Sequence, residues 1–176
     1  MNLLDHFKKT IAPYGMLNTE QKVLVAVSGG VDSVVLTHLC NAAGLHFCIA
    51  HCNFCLRGEE SKRDEVFVKS MGKKYNVEVF VKQFDTSKYA EENQISIQEA
   101  ARKLRYQFFG ELKKENHFSF TLLAHNANDQ IETLLINFFR GTGLTGLTGM
   151  PVLNKDSANA LRPLLQVPRE QIGAYA

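Results

Sequence analysis

Between a valine-rich run, Lys22 to Val27, and an apolar helical pattern stands the hexapeptide Ser28-Gly-Gly-Val-Asp-Ser33. Its residue types suit an anion. Two glycines let backbone N–H groups turn inward and approach phosphate oxygens closely. Ser28 and Ser33 add hydroxyl donors, and a helix starting here points its positive end at the same place. Asp32 repels a phosphate directly. Its use is through a cation, most simply Mg²⁺, or as a negative charge at a helix start. The stretch is neither the common G-x-x-x-x-G-K-S/T phosphate loop nor the G-x-G-x-x-G dinucleotide fingerprint. Other residues able to do chemistry recur downstream. His51 and His125 each follow an apolar run, and Arg57 lies shortly after the first of them. Arg102 and Arg105 are three apart, as are Asp129 and Glu132, so each pair shares a face if its segment is helical.

These residues need a frame that gathers them. Lys22 to Val27 reads as a buried strand, and Asp32 to Ala43 as a helix ending before Gly44. Leu45 to His51 reads as a second strand. Glu59 to Asn76 reads as a charged helix with Val66, Phe67 and Met71 inward. Val77 to Phe84 alternates as a third strand. Ser96 to Asn116 reads as a long helix capped by Ser96, with Glu99 completing a capping box. Phe118 to Ala124 is a fourth strand and Asn128 to Arg140 another helix. Such alternation predicts an α/β fold with a parallel, doubly wound, Rossmann-like sheet and right-handed crossovers. Ligands of such sheets bind beyond the carboxyl ends of the strands. Ser28, His51 and His125 all fall there. Each also has an ordinary alternative: hydrogen-bonded core histidines, a solvated arginine face paired with Glu99, and first-turn helix carboxylates at Asp129 and Glu132.

The 176 residues suffice for one domain with a sizeable core, and 45% apolar with 22% charged residues is ordinary for a soluble protein. No apolar run could span a membrane. Met1 to Thr10 is amphipathic and charged rather than a secretory signal. A cytoplasmic protein with no membrane partner is expected. A net charge of +2 permits a nucleic-acid partner without arguing for one. Cys40, Cys48, Cys52 and Cys55 cluster in one stretch and read as reduced thiols, the first two in the core. Gly141 to Gly149 reads as an irregular active-site loop or a plain connection. Val167 to Ala176 begins like a helix, with Pro168 in its first turn, and stops without a terminating signal. A piece of a longer protein is expected.

Ser28-Gly-Gly-Val-Asp-Ser33 after a valine-rich strand resembles the PP-loop of the N-type ATP pyrophosphatases, of the adenine nucleotide alpha hydrolase-like fold. Further blocks narrow the resemblance. Ala50-His-Cys-Asn-Phe-Cys-Leu-Arg-Gly-Glu-Glu-Ser61, Glu99-Ala-Ala-Arg-Lys-Leu-Arg-Tyr106 and Leu123-Ala-His-Asn-Ala-Asn-Asp-Gln-Ile-Glu-Thr133 are similar to segments of the tRNA(Ile)-lysidine synthetases. So are Arg140-Gly-Thr-Gly-Leu-Thr-Gly-Leu-Thr-Gly149 and Arg162-Pro-Leu-Leu165, in the same order. The resemblance implies cleavage of ATP between its α and β phosphates. The adenylated group is the wobble cytidine of the CAU-anticodon isoleucine tRNA, and free lysine then displaces AMP. It implies that the chain is the N-terminal catalytic domain of such an enzyme, lacking C-terminal tRNA-binding domains. A homodimer is allowed but not readable.

On that resemblance the nucleotide falls to Ala26, Ser28, Gly29, Gly30, Val31, Asp32 and Ser33, with His51 and Asn53 beside them, and Mg²⁺ to Asp32. Catalysis falls to Asp32, Arg105 and His125. The tRNA and lysine fall to Arg57, Arg102, Asp129 and Glu132. Phe54 and Asn126 stand where the family usually has histidines, and Phe54 could stack on a base instead. Two other functions remain open. One is a related tRNA thiolation enzyme using the Cys52-x-x-Cys55 pair. The other is an ATP-binding module without chemistry.

Overall fold

The computed structural model describes residues 2–17, 21–141 and 148–176. Its strands are β1 Lys22–Ala26, β2 His46–Asn53, β3 Val79–Gln83, β4 Thr121–Leu122, β5 Leu153–Asn154 and β6 Ala160–Leu161. The helices are α1 Leu3–Ile11, α2 Val31–Ala42, α3 Glu59–Tyr75, α4 Thr86–Glu92, α5 Ile97–Asn116, α6 Ala127–Phe139 and α7 Arg169–Tyr175. The strands form one sheet in the order β3-β2-β1-β4-β6-β5. All pairings are parallel except the edge pair β5–β6, which is antiparallel.

The central strands are continuous apolar runs because both their faces are covered. Successive side chains alternate between two cores. Val23 and Val25 of β1, with Phe47 and Ile49 of β2, join the core under α1, α2 and α7. Leu24, Cys48 and Ala50 join the opposite core with Phe108, Phe109 and Phe118. Cys40 and Cys48 are buried, as the sequence suggested. The chain first builds outward from β1 through β2 to β3, then crosses back to place β4 on the other flank of β1. This reversal opens a crevice at the carboxyl ends of β1 and β4.

Some elements differ from expectation. Strand β4 is short, yet inter-strand hydrogen bonds run on either side of it, from Ser119 N–H to Lys22 O and from Leu123 N–H to Leu161 O. Helix α1 is a full element, capped by Asn2 Oδ1, which accepts from Asp5 N–H at 2.8 Å. Helix α4 was not anticipated. The inner face of α3 is only partly the expected one: Met71 is buried, but Val66 and Phe67 are 68% and 43% exposed. Its buried residues are Ser61, Glu65, Val68, Met71 and Gly72. Apolar residues alone misphase this helix because the inward Glu65 carries a polar network. Ser96 caps α5, with Oγ accepting from Glu99 N–H, while the Glu99 carboxylate faces Lys103 at 3.2 Å. No helix among the described residues is long and apolar enough to cross a membrane. The loop read at 141–149 lies mostly, at 142–147, outside the described residues.

Candidate functional site

Strand β1 ends at Ala26 and α2 begins at Val31, so residues 27–30 must reverse direction within a few ångströms. Gly29 makes this feasible, with φ +98°, a conformation costly for any side chain. A Cβ there would meet the Asp64 carboxylate of α3 at 3.1 Å. Gly30 is the N-cap of α2. The two serines brace the loop from inside. Ser33 Oγ donates to Gly30 O at 2.8 Å, and Ser28 Oγ accepts from Gly30 N–H at 3.3 Å. The Val31 and Asp32 N–H groups at the start of α2 lack intrahelical acceptors. They and the helix dipole create an anion-seeking end.

This loop forms one wall of a cleft of about 370 Å³ whose lining also includes Ala26, Asp32, Arg105, His125 and Arg169. Three strand ends and three helices therefore contribute to one space. Asp32 Oδ2 accepts from Asn126 Nδ2–H at 3.0 Å, and the Arg169 Nε lies 3.8 Å from the same oxygen. Asp32 Oδ1 is buried with no partner among the described residues. A buried carboxylate oxygen without a donor is costly. It fits a divalent cation, and a Mg²⁺ bound with phosphates needs only one or two protein carboxylates. No group of three or more metal-binding side chains occurs among the described residues.

His125 is held in the wall with its Nδ1 buried and unpartnered among the described residues. Burial first, then the nearby Arg162 charge, push its pKa down to about 4. The ring is neutral at pH 7. Arg105 lies 5.3 Å from the ring centroid of Phe54, and Phe54 stacks on Phe84. The aromatic that replaces the expected histidine thus carries an arginine at the cleft wall.

Other predicted residues take different places. His51 is buried and its Nδ1–H donates to Val27 O at 2.8 Å, pinning the end of β2 to the root of the loop. It lines a smaller adjoining cavity of about 230 Å³ together with Asn53 and Arg57. Asn53 is committed to the fold. Its Nδ2–H donates to Glu65 Oε2 at 2.9 Å, and its Oδ1 accepts from Cys55 N–H at 3.0 Å. Arg57 pairs with Asp64 at 2.8 Å. Arg102 is exposed outside the cleft, over the Tyr106 ring. Asp129 completes a capping box, its Oδ2 accepting from Asn126 N–H at 2.9 Å, while Glu132 is exposed one turn on.

Two residues were missed as site members. Asn126 was noted only as a departure, yet it is 1% exposed and does two jobs. Its Oδ1 accepts from Asn128 and Asp129 N–H, and its Nδ2–H orients Asp32. The N-cap pattern Asn126 to Asp129 was a usable signal. Arg169 had no signal, since only the fold carries it to the loop. The Cys52 thiol, at the cleft margin, is pushed up to about 12 by burial.

A family model described as a PP-loop domain matches residues 2–176. A curated relative from Bacteroides thetaiotaomicron, named tRNA(Ile)-lysidine synthase, is 46% identical over 156 residues, covering 89% of this chain and 36% of its own. One of the same name from Thermosipho africanus is 42% identical over 181 residues, covering 100% and 41%. The chain thus spans about two fifths of the length of such relatives, or less. Among solved structures, a U34-tRNA thiolase from Methanococcus maripaludis superposes with a TM-score of 0.78. It is 19% identical and covers 97% of this chain and 60% of the thiolase chain, a likeness of fold.

Proposed function

This chain belongs to the PP-loop domain family, and on that premise we propose that it is the ATP-using domain of a tRNA(Ile)-lysidine synthase. It adenylates the wobble cytidine of the CAU-anticodon isoleucine tRNA, and the amine of free lysine then replaces AMP. The observation that carries the reading is one cleft holding a phosphate-type loop, the half-free Asp32 carboxylate, Arg105 and the neutral His125.

The residues divide the work by position. The backbone amides of Gly29, Val31 and Asp32 hold the polyphosphate against the start of α2. Asp32 would hold Mg²⁺ through its unpartnered Oδ1, and such an ion supplies positive charge to the phosphates when bound. The cytidine carbonyl oxygen attacks the α-phosphorus, the bond to the bridging oxygen breaks, and pyrophosphate leaves. Charge gathers on the α-phosphate in that transition state, where a fixed cation lowers the barrier most. Arg105 is the cation poised at the wall for this. The lysine amine then attacks the activated ring carbon and the C–O bond to AMP breaks. His125, uncharged in the cleft wall, adds no repulsion toward the substrate ammonium groups. Glu132, exposed on α6, attracts the substrate ammonium groups, and Asp129, committed to the cap of that helix, adds its negative charge nearby.

The thiolation reading draws on the fold likeness and on Cys52 and Cys55. A thiol held up to about 12 is a poor nucleophile at neutral pH. Cys52→Ser is therefore expected to leave ATP turnover intact. The deciding assay combines a protein of the relatives' full length with ATP, Mg²⁺, lysine and unmodified isoleucine tRNA. AMP release should require both lysine and that tRNA. Release independent of either one would sink the assignment.

A further inference from the structure

We propose that Arg169 is a phosphate-binding residue that waits on Asp32 and transfers to the nucleotide when Asp32 receives a cation. This deepens the reading of the cleft as an ATP site and rests on it. Arg169 opens α7, far from the loop in sequence, yet lines the same cleft as Ser28 and Asp32. Its backbone is anchored. The Arg169 N–H donates to Asn128 Oδ1 at 3.1 Å, and the preceding turn is tied to α6 by Ala127 N–H on Val167 O at 2.9 Å. Ile172, one turn on, is fully buried. The Arg169 side chain is by contrast 70% exposed.

The contact with Asp32 is loose by geometry. At 3.8 Å it exceeds hydrogen-bond length, and the oxygen it faces already accepts from Asn126. The guanidinium donates no hydrogen bond among the described residues. A fork of five donors is thus held near its place of work by charge alone. Arg105, the other cation of this wall, already lies over Phe54. Asp32 is the one carboxylate among the described lining residues. Once a divalent ion satisfies it, Arg169 loses its counter-charge just as a polyphosphate with matching bidentate geometry arrives.

The test is calorimetric titration of the 176-residue chain with ATP, in Mg²⁺ and separately in EDTA. Arg169→Ala should weaken Mg²⁺–ATP binding about tenfold, the order expected for loss of a charged hydrogen bond, and Arg169→Lys should recover part of it. In EDTA, Asp32→Ala should bind ATP more tightly than the unaltered chain, because Arg169 is then free. Adding Arg169→Ala to Asp32→Ala should erase that gain. Binding of Mg²⁺–ATP by Arg169→Ala within twofold of the unaltered chain would overturn the proposal. So would equal EDTA affinities for Asp32→Ala and the double variant. If the unaltered chain binds ATP under neither condition, the nucleotide reading of the cleft fails first. Far-UV circular dichroism should match throughout, since the substituted arginine is exposed.

Discussion

Asp32 has two oxygens with different fates, and that asymmetry sets its behaviour. One is held by Asn126 and faced by Arg169, while the other is buried without a donor. Asp32→Ala is expected to abolish pyrophosphate release while leaving the circular dichroism spectrum unchanged; retained release would remove Asp32 from the chemistry. Asn126→Ala removes the cap of α6 and the donor to Asp32 together. A loss of about 0.5–2 kcal/mol, typical of a lost N-cap, is expected in chemical denaturation, along with reduced ATP turnover. A variant as stable as the parent would show that α6 does not depend on this cap. His125 gives a pH prediction. Its folded pKa of about 4 lies below the ordinary 6.5, so the folded state binds fewer protons in that interval. Its contribution to stability is complete above pH 6.5 and is lost as pH falls toward 4. Histidine NMR should find one ring still neutral at pH 5.5, and a ring titrating near 6.5 at this position would contradict the burial argument. The sequence placed His125 at a strand end and Asp32 at the helix start beyond Ser28 through local pattern alone. It could not show that the expected second histidine is an asparagine with its own job, because that job lies across the cleft.

At the scale of elements, α3 decides how the second strand end is held. Its Glu65 accepts from Asn53 and Gln83 and pairs with Lys69, joining β2, β3 and α3 at one carboxylate. The Lys69 contact above all, then the two amides, hold its pKa down to about 2. Stability from this group is therefore present above about pH 4.5 and lost as pH falls toward 2. Glu65→Gln should flatten the fall of melting temperature across that window, and an unchanged profile would exclude Glu65 as its source. The next turn of α3 lies against β3 through Gly72, where an added Cβ would overlap Val79 Cγ2. Gly72→Ala is expected to destabilise by about 1–3 kcal/mol, the usual cost of overpacking, as measured by urea unfolding. The strand–helix alternation was legible because apolar period and turn residues are local signals. The inner face of α3 was not, because a buried carboxylate looks like a solvent residue until its partners on two strands are known. Helix α4, seven residues long, was too brief for a periodic signal.

Across the whole molecule, the reversal of strand order at β1 brings the starts of α2, α6 and α7 to one crevice. A chain with net charge +2 carries little general attraction for a polyanion. The 176 residues alone are expected to bind tRNA weakly, with Kd near the non-specific range of about 10⁻⁴–10⁻⁶ M at physiological salt. Filter binding at two salt concentrations checks this, and nanomolar affinity would place the main tRNA contacts within these residues.

The order of loop, strand ends and helix faces was determined by the sequence itself. Glycine freedom, serine donors and apolar period act over a few residues, and they suffice to locate Ser28 to Ser33 and the strand end at His125, while Arg105 stands out from Arg102 only through the family resemblance. Tertiary structure decided which of these share a space. It spent Asn53 and Asp129 on holding the fold, left Arg102 outside, and brought Asn126 and Arg169 to the same oxygen of Asp32. Those pairings depend on how crossovers pack on the sheet, and no local period records a partner that arrives from the other end of the chain.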